Sequence, residues 1–304
     1  MSDGSPSQVL VTGGAGFIGR RVVRALLDAD HQVTVVDRHA FPDERVTSVV
    51  GDLCDPAVIG QALGQHTNVV IHLAAITSVL RSKEDPAGTY RLNVEATFNL
   101  LEHCRQRGVS NFLLASTNAV TGDVGSATIS EQMPLRPLVP YGATKAAAEM
   151  LLSSYVGSYG MTGAALRFAN VYGPGMEAKD SFVPRLMRAA RDGTGVQIYG
   201  DGSQLRDLVH VDDIVTGILT AWHAGHNGPL ILGSGESVTV NEILEAARAV
   251  TGAEIPAEHI PAKAGEMPAV IIDISAARAL GYQPRYDLKA GIATVWPEFS
   301  ETAK

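Results

Sequence analysis

Cysteine is nearly absent from this 304-residue chain. The two that occur, Cys54 and Cys104, stand far apart, and neither belongs to a CxxC or Cys/His spacing. A disulfide framework is thereby disfavoured, and both read as reduced packing residues of a cytoplasmic protein. Long apolar runs are missing too, since none approaches the ~18–20 residues needed to span a bilayer. The opening MSDGSPSQ lacks the apolar core of a secretory leader. Basic residues are outnumbered, 24 against 32 acidic, which leaves a net charge of −8. That argues against a nucleic-acid partner or an anionic membrane surface, while leaving room for a small basic pocket that takes phosphate. The nine histidines show no ligand spacing, so no metal is expected. There is no internal repeat and no low-complexity segment.

What is present is alternation. QVLVTG (8–13), HQVTVVD (31–37), VTSVVGD (46–52), NVVIHLAA (68–75), NFLLAST (111–117) and GAALRFAN (163–170) are strand-like runs. Helical spacing recurs in RRVVRALLDAD (20–30), NVEATFNLLEHCRQRG (93–108) and TKAAAEMLLSSYVGSYG (144–160). Near-continuous apolar strands alternating with helices predict a parallel sheet covered on both faces, an α/β, Rossmann-like doubly wound fold. After Asn170 the pattern changes. SFVPRLMRAARDG and TVNEILEAARAVTG read as helices, and VQIYGDGSQLRDLVHV as a strand pair. The expected division is a dinucleotide-binding domain over 1–170 and 209–233, with a smaller α/β substrate lobe over 171–208 and 234–304.

VTGGAGFIG joins the first strand to the first helix, and Gly13, Gly16 and Gly19 form GxxGxxG. Glycines here allow a tight turn and close approach of a pyrophosphate to a helix N-terminus. Asp37 ends the second strand, 18 residues beyond Gly19. A carboxylate there accepts from ribose hydroxyls and repels a 2′-phosphate, which favours NAD. Arg38 beside it could hold that phosphate, so NADP stays open. Asp52 and Leu53 follow the third strand, where they could meet the adenine.

Tyr141 and Lys145 lie four apart at a helix start, hence on one face. An ammonium close to a phenol favours the phenolate, so Lys145 is expected to lower the Tyr141 pKa. Thr117 ends a strand, and ligand chemistry in this architecture occurs at the carboxyl ends of strands. Thr117, Tyr141 and Lys145 therefore make a candidate catalytic set. The hydroxyl would bond the reacting oxygen, Tyr141 would exchange its proton, and Lys145 would bind ribose.

With TGGAGFIG, VVD, GDL, HLAA, STNAVTG, YGATK, RFANVYGPG and RDLVHVDD in this order, the chain resembles the extended short-chain dehydrogenase/reductases over about residues 9–291. Its closest look is to their NAD-dependent nucleotide-sugar epimerase/dehydratase group, UDP-hexose 4-epimerases included. The resemblance implies that Phe17, Ile18, Leu73, Ala74, Ala75, Asn93 and Phe168 line the cofactor. It implies that Asn170 and Arg206 hold the diphosphate of a nucleotide sugar. It places Thr77, Asn118, Ala119, Phe182, Val183, Gln197, Tyr199, Lys263 and Glu266 in the substrate site. Lys179, in the loop MEAKDSF, is a candidate partner for an acidic sugar.

Departures narrow the reaction. Sugar 4,6-dehydratases follow the catalytic threonine with Asp and Glu, whereas here Asn118 and Ala119 follow Thr117. Thr121 replaces an aromatic residue, and KAGE (263–266) stands where the family has RPGD. The resulting expectation is a 4-epimerase of a UDP-hexose or UDP-hexuronate that works through a transient 4-ketone. A 4-ketoreductase of a dTDP-4-keto-6-deoxyhexose is the alternative, and a non-catalytic NAD sensor a third. The helices at 93–107 and 144–158 carry apolar stripes beyond what one sheet face needs, and the resemblance, in which such helices pair across a two-fold axis, implies a homodimer.

Overall fold

The computed structural model describes residues 6–262 and 268–300; Lys263 and Glu266 lie outside them. The elements run β1 (Gln8–Thr12), α1 (Phe17–Asp28), β2 (Gln32–Asp37), β3 (Thr47–Val50), α2 (Pro56–Ala62), β4 (Thr67–His72), α3 (Val79–Glu84), α4 (Pro86–Tyr90) and α5 (Ala96–Arg107). They continue with β5 (Asn111–Thr117), β6 (Thr128–Ile129), α6 (Pro140–Tyr159), β7 (Thr162–Phe168), β8 (Asn170–Tyr172), α7 (Phe182–Asp192), β9 (Val196–Tyr199), β10 (Leu205–His210) and α8 (Val211–His223). The last are β11 (Gly228–Leu232), β12 (Ser237–Thr239), α9 (Val240–Thr251), β13 (Ala257–Ile260), β14 (Ile271–Ile272), α10 (Ser275–Ala279) and α11 (Leu288–Ser300).

Seven strands form one sheet in the order β11-β7-β5-β4-β1-β2-β3, and every pairing is parallel. Burial on both faces explains why these strands read as unbroken apolar runs. On one face Val22, Val23 and Leu26 of α1 pack with Ile214 and Ile218 of α8. On the other, Ile59 of α2, Leu100 and Cys104 of α5, and Leu152 of α6 close the core. This is the Rossmann-like, doubly wound α/β arrangement expected. The strand order reverses between β4 and β1, so a crevice opens at their carboxyl ends.

A separate apolar cluster joins α7, α9 and α11 through Leu186, Met187, Ile243, Ala247, Ile292 and Val295. Two expectations are corrected here. β9 and β10 do not pair with each other: β9 pairs with β13, and β10 lies between β12 and β8. Their linking turn is local, but the partners that satisfy their backbone come from elsewhere in the chain. The tail also holds α11, whose buried Ile292, Val295 and Phe299 keep it helical around Pro297. Finally, 163–170 is not one strand. The chain leaves the large sheet after Phe168 and enters the three-stranded sheet at Asn170.

Candidate active site

A cavity of about 660 Å³ opens where β1, β2, β4, β5 and β7 end. Its floor is the β1–α1 turn. Gly13 adopts φ +71°, and a Cβ there would stand 2.8 Å from Ala74 N. A Cβ on Gly19 would fall 2.1 Å from Gly13 O. Only glycine lets the turn and the first helical residues pack this closely. Asp37 accepts from Ala15 N at 3.0 Å, so the β2 carboxylate braces the same turn. Gly13, Gly16, Phe17, Ile18, Gly19, Asp37, Arg38, Asp52, Leu53, Leu73, Ala74, Ala75, Tyr141, Lys145 and Phe168 all line the cavity.

Asn93 does not. It is fully buried within a single π turn (Arg91–Glu95) that leads into α5. Its amide accepts from Ile76 N and donates to Ile76 O and Thr144 Oγ1. The expected cofactor-lining residue instead fixes the loop that lines the cavity, because every polar atom of its side chain is taken by protein. Behind it runs a closed polar chain. Thr97 Oγ1 donates to Asn93 O, so it must accept from His72 Nε2–H at 2.9 Å. His72 Nδ1 then accepts from the Thr12 hydroxyl at 2.6 Å, and Thr12 Oγ1 accepts from Ala74 N. Burial pushes the His72 pKa down to about 3, and the Lys145 charge pushes the same way. The ring is therefore neutral, and its tautomer follows from its neighbours.

Tyr141 and Lys145 lie on the first turns of α6, against the end of β5. Lys145 is 2% exposed, and its Nζ donates to Ala115 O at 2.8 Å. Burial lowers its pKa to about 8, and Glu149 one turn further on opposes that shift. The Thr117 hydroxyl lies close enough to the Tyr141 phenol to favour its ionised form. The expected direction of the Tyr141 pKa is corrected. Burial raises it above that of a free phenol, and Thr117 opposes the rise only in part. Desolvation of the phenolate outweighs the help of the Thr117 hydroxyl. Thr117 also accepts from Ala119 N, which caps the short 3-10 turn Asn118–Val120.

The expected substrate residues are dispersed. Thr77 lines the main cavity, and so does Lys179, whose Nζ lies 5.0 Å from the Phe17 ring centroid. Phe182, Gln197 and Tyr199 line a second cavity of about 280 Å³ with Arg185 and Arg188. Val183 does not reach either; it is packed in the α7–α9–α11 core. Asn170 donates to Asp207 O at 3.1 Å, and Arg206 donates to Leu205 O at 2.8 Å. Ala119 O lies where it would meet any Cβ on Gly142 at 2.6 Å, so it serves the packing of α6 on β5. Asn118 is 7% exposed, and both atoms of its amide lack a hydrogen-bond partner among the described residues.

The NAD dependent epimerase/dehydratase family model matches residues 9–233. The chain belongs to that family. It is 34% identical to a dTDP-glucose 4,6-dehydratase of Actinoplanes, over 94% of this chain and 95% of that one. The UDP-glucose 4-epimerase of Thermotoga maritima, solved with UDP-glucose, superposes with a TM-score of 0.92 at 31% identity and covers 98% of this chain and 100% of its own. A UDP-glucuronic acid 4-epimerase of Bacillus cereus, solved with a fluorinated UDP-glucuronic acid and NAD, gives 0.88 at 27% identity over 97% and 99%. This epimerase/dehydratase family member is an enzyme with NAD as its cofactor.

The cavity suits that cofactor. The glycine turn leaves the N-terminus of α1 without a side-chain cap, and Asp37 lines the cavity at the end of β2, a position that suits ribose hydroxyls. Arg81, Asp85 and Arg91 also line the cavity. They come from α3, the residue that caps α4 and the π turn, a stretch without clear periodicity, and sequence reasoning did not find them. Glu149, Ser116 and Arg167 were missed as well, although YGATKAAAE places Glu149 on the same helical face as Lys145.

Proposed function

We propose that the chain is an NAD-dependent nucleotide-sugar 4-epimerase of the UDP-glucose or UDP-glucuronate type. One observation carries the reading: Tyr141 and Lys145 line one end of the cavity with the Thr117 hydroxyl acting on the Tyr141 phenol from outside its lining, while the residues after Thr117 are Asn118 and Ala119. Elimination of water across C5–C6 requires a proton donor and acceptor beside the threonine. An amide and a methyl group transfer no proton at neutral pH.

Bound NAD supplies a reversible hydride acceptor. Tyr141 takes the proton of the sugar 4-hydroxyl as that carbon becomes a ketone, and returns it once the opposite face of the sugar has been presented. The raised Tyr141 pKa leaves the free enzyme with a protonated phenol, so the base forms only when positive charge enters the site. Thr117 orients the reacting oxygen, and Lys145, anchored on Ala115 O, adds fixed positive charge. Such proton transfer accounts for roughly 10²–10⁴-fold of the rate. The orphaned amide of Asn118 supports a contact with substrate, since buried polar groups are rarely left unpaired. Arg38 at the cavity rim favours a second reading, an NADPH-dependent 4-ketoreductase, and Asp37 opposes it. The reading extends to a cytoplasmic homodimer: Phe98 on α5 and Met150 and Tyr159 on α6 are 45%, 56% and 55% exposed, an apolar surface suited to a second copy.

The test is product analysis by NMR after incubation with NAD and, separately, UDP-glucose, UDP-glucuronate and a dTDP-4-keto-6-deoxyhexose. A C4 epimer from a UDP-sugar without net NADH supports the proposal. NAD(P)H-dependent consumption of the ketosugar alone replaces it with the reductase.

A further inference from the structure

Behind the Tyr141–Lys145 pair lies a buried ion pair that the proposed reaction does not use directly. Glu149 and Arg167 meet at 2.8 Å with both side chains 4% exposed. Arg167 contacts both oxygens of Glu149 through Nε and Nη2, and Ser116 Oγ donates to Glu149 Oε1. The Arg167 Nη1 donates to Glu131 O. Each member is next to a residue of the site. Ser116 precedes Thr117, Arg167 precedes Phe168, and Glu149 stands one turn beyond Lys145. Ser116 and Arg167 are register partners on β5 and β7, as are Thr117 and Phe168. Glu149 reaches both strands from α6.

We propose that Glu149 is a positioning residue for Tyr141 and Lys145: it ties α6 to the ends of β5 and β7 and supplies the counter-charge that holds the Lys145 ammonium. The inference rests on the roles given to those two residues above. Lys145 has four charged or titratable neighbours to consider. Tyr141 and Glu149 lie on its own helix, Arg167 reaches Glu149 from β7, and neutral His72 comes from β4. Of these, only Glu149 opposes the loss of the Lys145 proton that burial promotes. A buried pair kept only for folding would be replaceable by apolar residues of similar volume. One that sets the charge of Lys145 would not.

The experiment uses NAD-loaded protein in two arms. In the first, 13Cε-labelled lysine is followed by NMR against pH, with Lys145 assigned by its loss in Lys145→Arg. Glu149→Gln is expected to move the Lys145 midpoint down by about one pH unit or more. No sugar is needed for this readout. In the second, kcat of Glu149→Gln on the UDP-hexose turned over by the wild type is expected to fall about tenfold or more. KM should stay within about threefold, the alkaline limb should move to lower pH, and Glu149→Asp should recover part of the loss. The double variant Glu149→Leu with Arg167→Met keeps the core filled without leaving an unpaired charge, and should show the same two changes. A folded variant with the Lys145 midpoint and kcat of the wild type overturns the proposal. A midpoint shift in protein whose wild type turns over no UDP-hexose upholds the counter-charge and removes the epimerase reading instead.

Discussion

The Thr12 hydroxyl donates to His72 Nδ1 across 2.6 Å, between two adjacent strands and with no exposure to solvent. Both ring nitrogens of His72 are committed, one as acceptor and one as donor to Thr97. A proton added to Nδ1 would oppose the Thr12 proton and break the chain that reaches Ala74 on one side and Asn93 on the other.

Acid sensitivity follows. His72 has a folded pKa of about 3, well below that of an exposed imidazole. Between pH 3 and about 6.5 the unfolded chain binds the extra proton and the folded chain does not. Stability therefore falls as pH drops through about 6.5, by about 1.4 kcal/mol per pH unit from this residue, and the effect is absent above it. Denaturant titrations at pH 7.5, 6.0 and 5.0 check this. A His72→Gln variant, weaker at pH 7.5, should show a shallower pH slope.

The glycine turn predicts an ordered pair of effects. Gly19→Ala places a methyl group 2.1 Å from Gly13 O, whereas Gly16→Ala meets the same oxygen at 3.1 Å. The first must displace the turn and should weaken NAD binding by about tenfold or more, the second by less. Calorimetric titration with NAD checks the order; equal affinities would show that the turn does not carry the pyrophosphate.

Tyr141→Phe should lose at least about 100-fold in turnover while binding NAD normally. Thr117→Ala removes the hydroxyl that opposes the raised Tyr141 pKa. Since the base must be deprotonated, the acidic limb of kcat/KM should move to higher pH. A Tyr141→Phe protein with near wild-type turnover would remove the tyrosine from the mechanism.

Cofactor choice is tested at Asp37. Its carboxylate braces Ala15 N and faces the cavity beside the exposed Arg38. Asp37→Ser should narrow the preference for NAD over NADP by about tenfold or more, because the like-charge repulsion of the 2′-phosphate is gone. Equilibrium binding of both nucleotides, measured side by side, decides it.

Association is tested on the α5–α6 surface. Phe98→Asp with Met150→Asp should give a monomer in analytical ultracentrifugation with little change in thermal stability, since both side chains are exposed in the single chain. A species of unchanged mass would place any interface elsewhere.

Local geometry was legible from the sequence alone. Alternating apolar runs determined the parallel sheet because both its faces are buried. GxxGxxG, Asp37 and the Tyr141–Lys145 spacing were readable because each is placed by a single turn, one strand end or one helix. Tertiary structure alone decided what distant parts of the chain do to those residues. Asn93 faces protein because the π turn and α6 close around it. The pKa of Tyr141 rises because burial is a property of the whole fold, which a four-residue spacing does not reveal. Ser116, Glu149 and Arg167 look unrelated along the chain and become one buried group only when β5, β7 and α6 pack. Burial and pairing of charges depend on three-dimensional neighbours, and a linear pattern records neighbours only where they are also close in sequence.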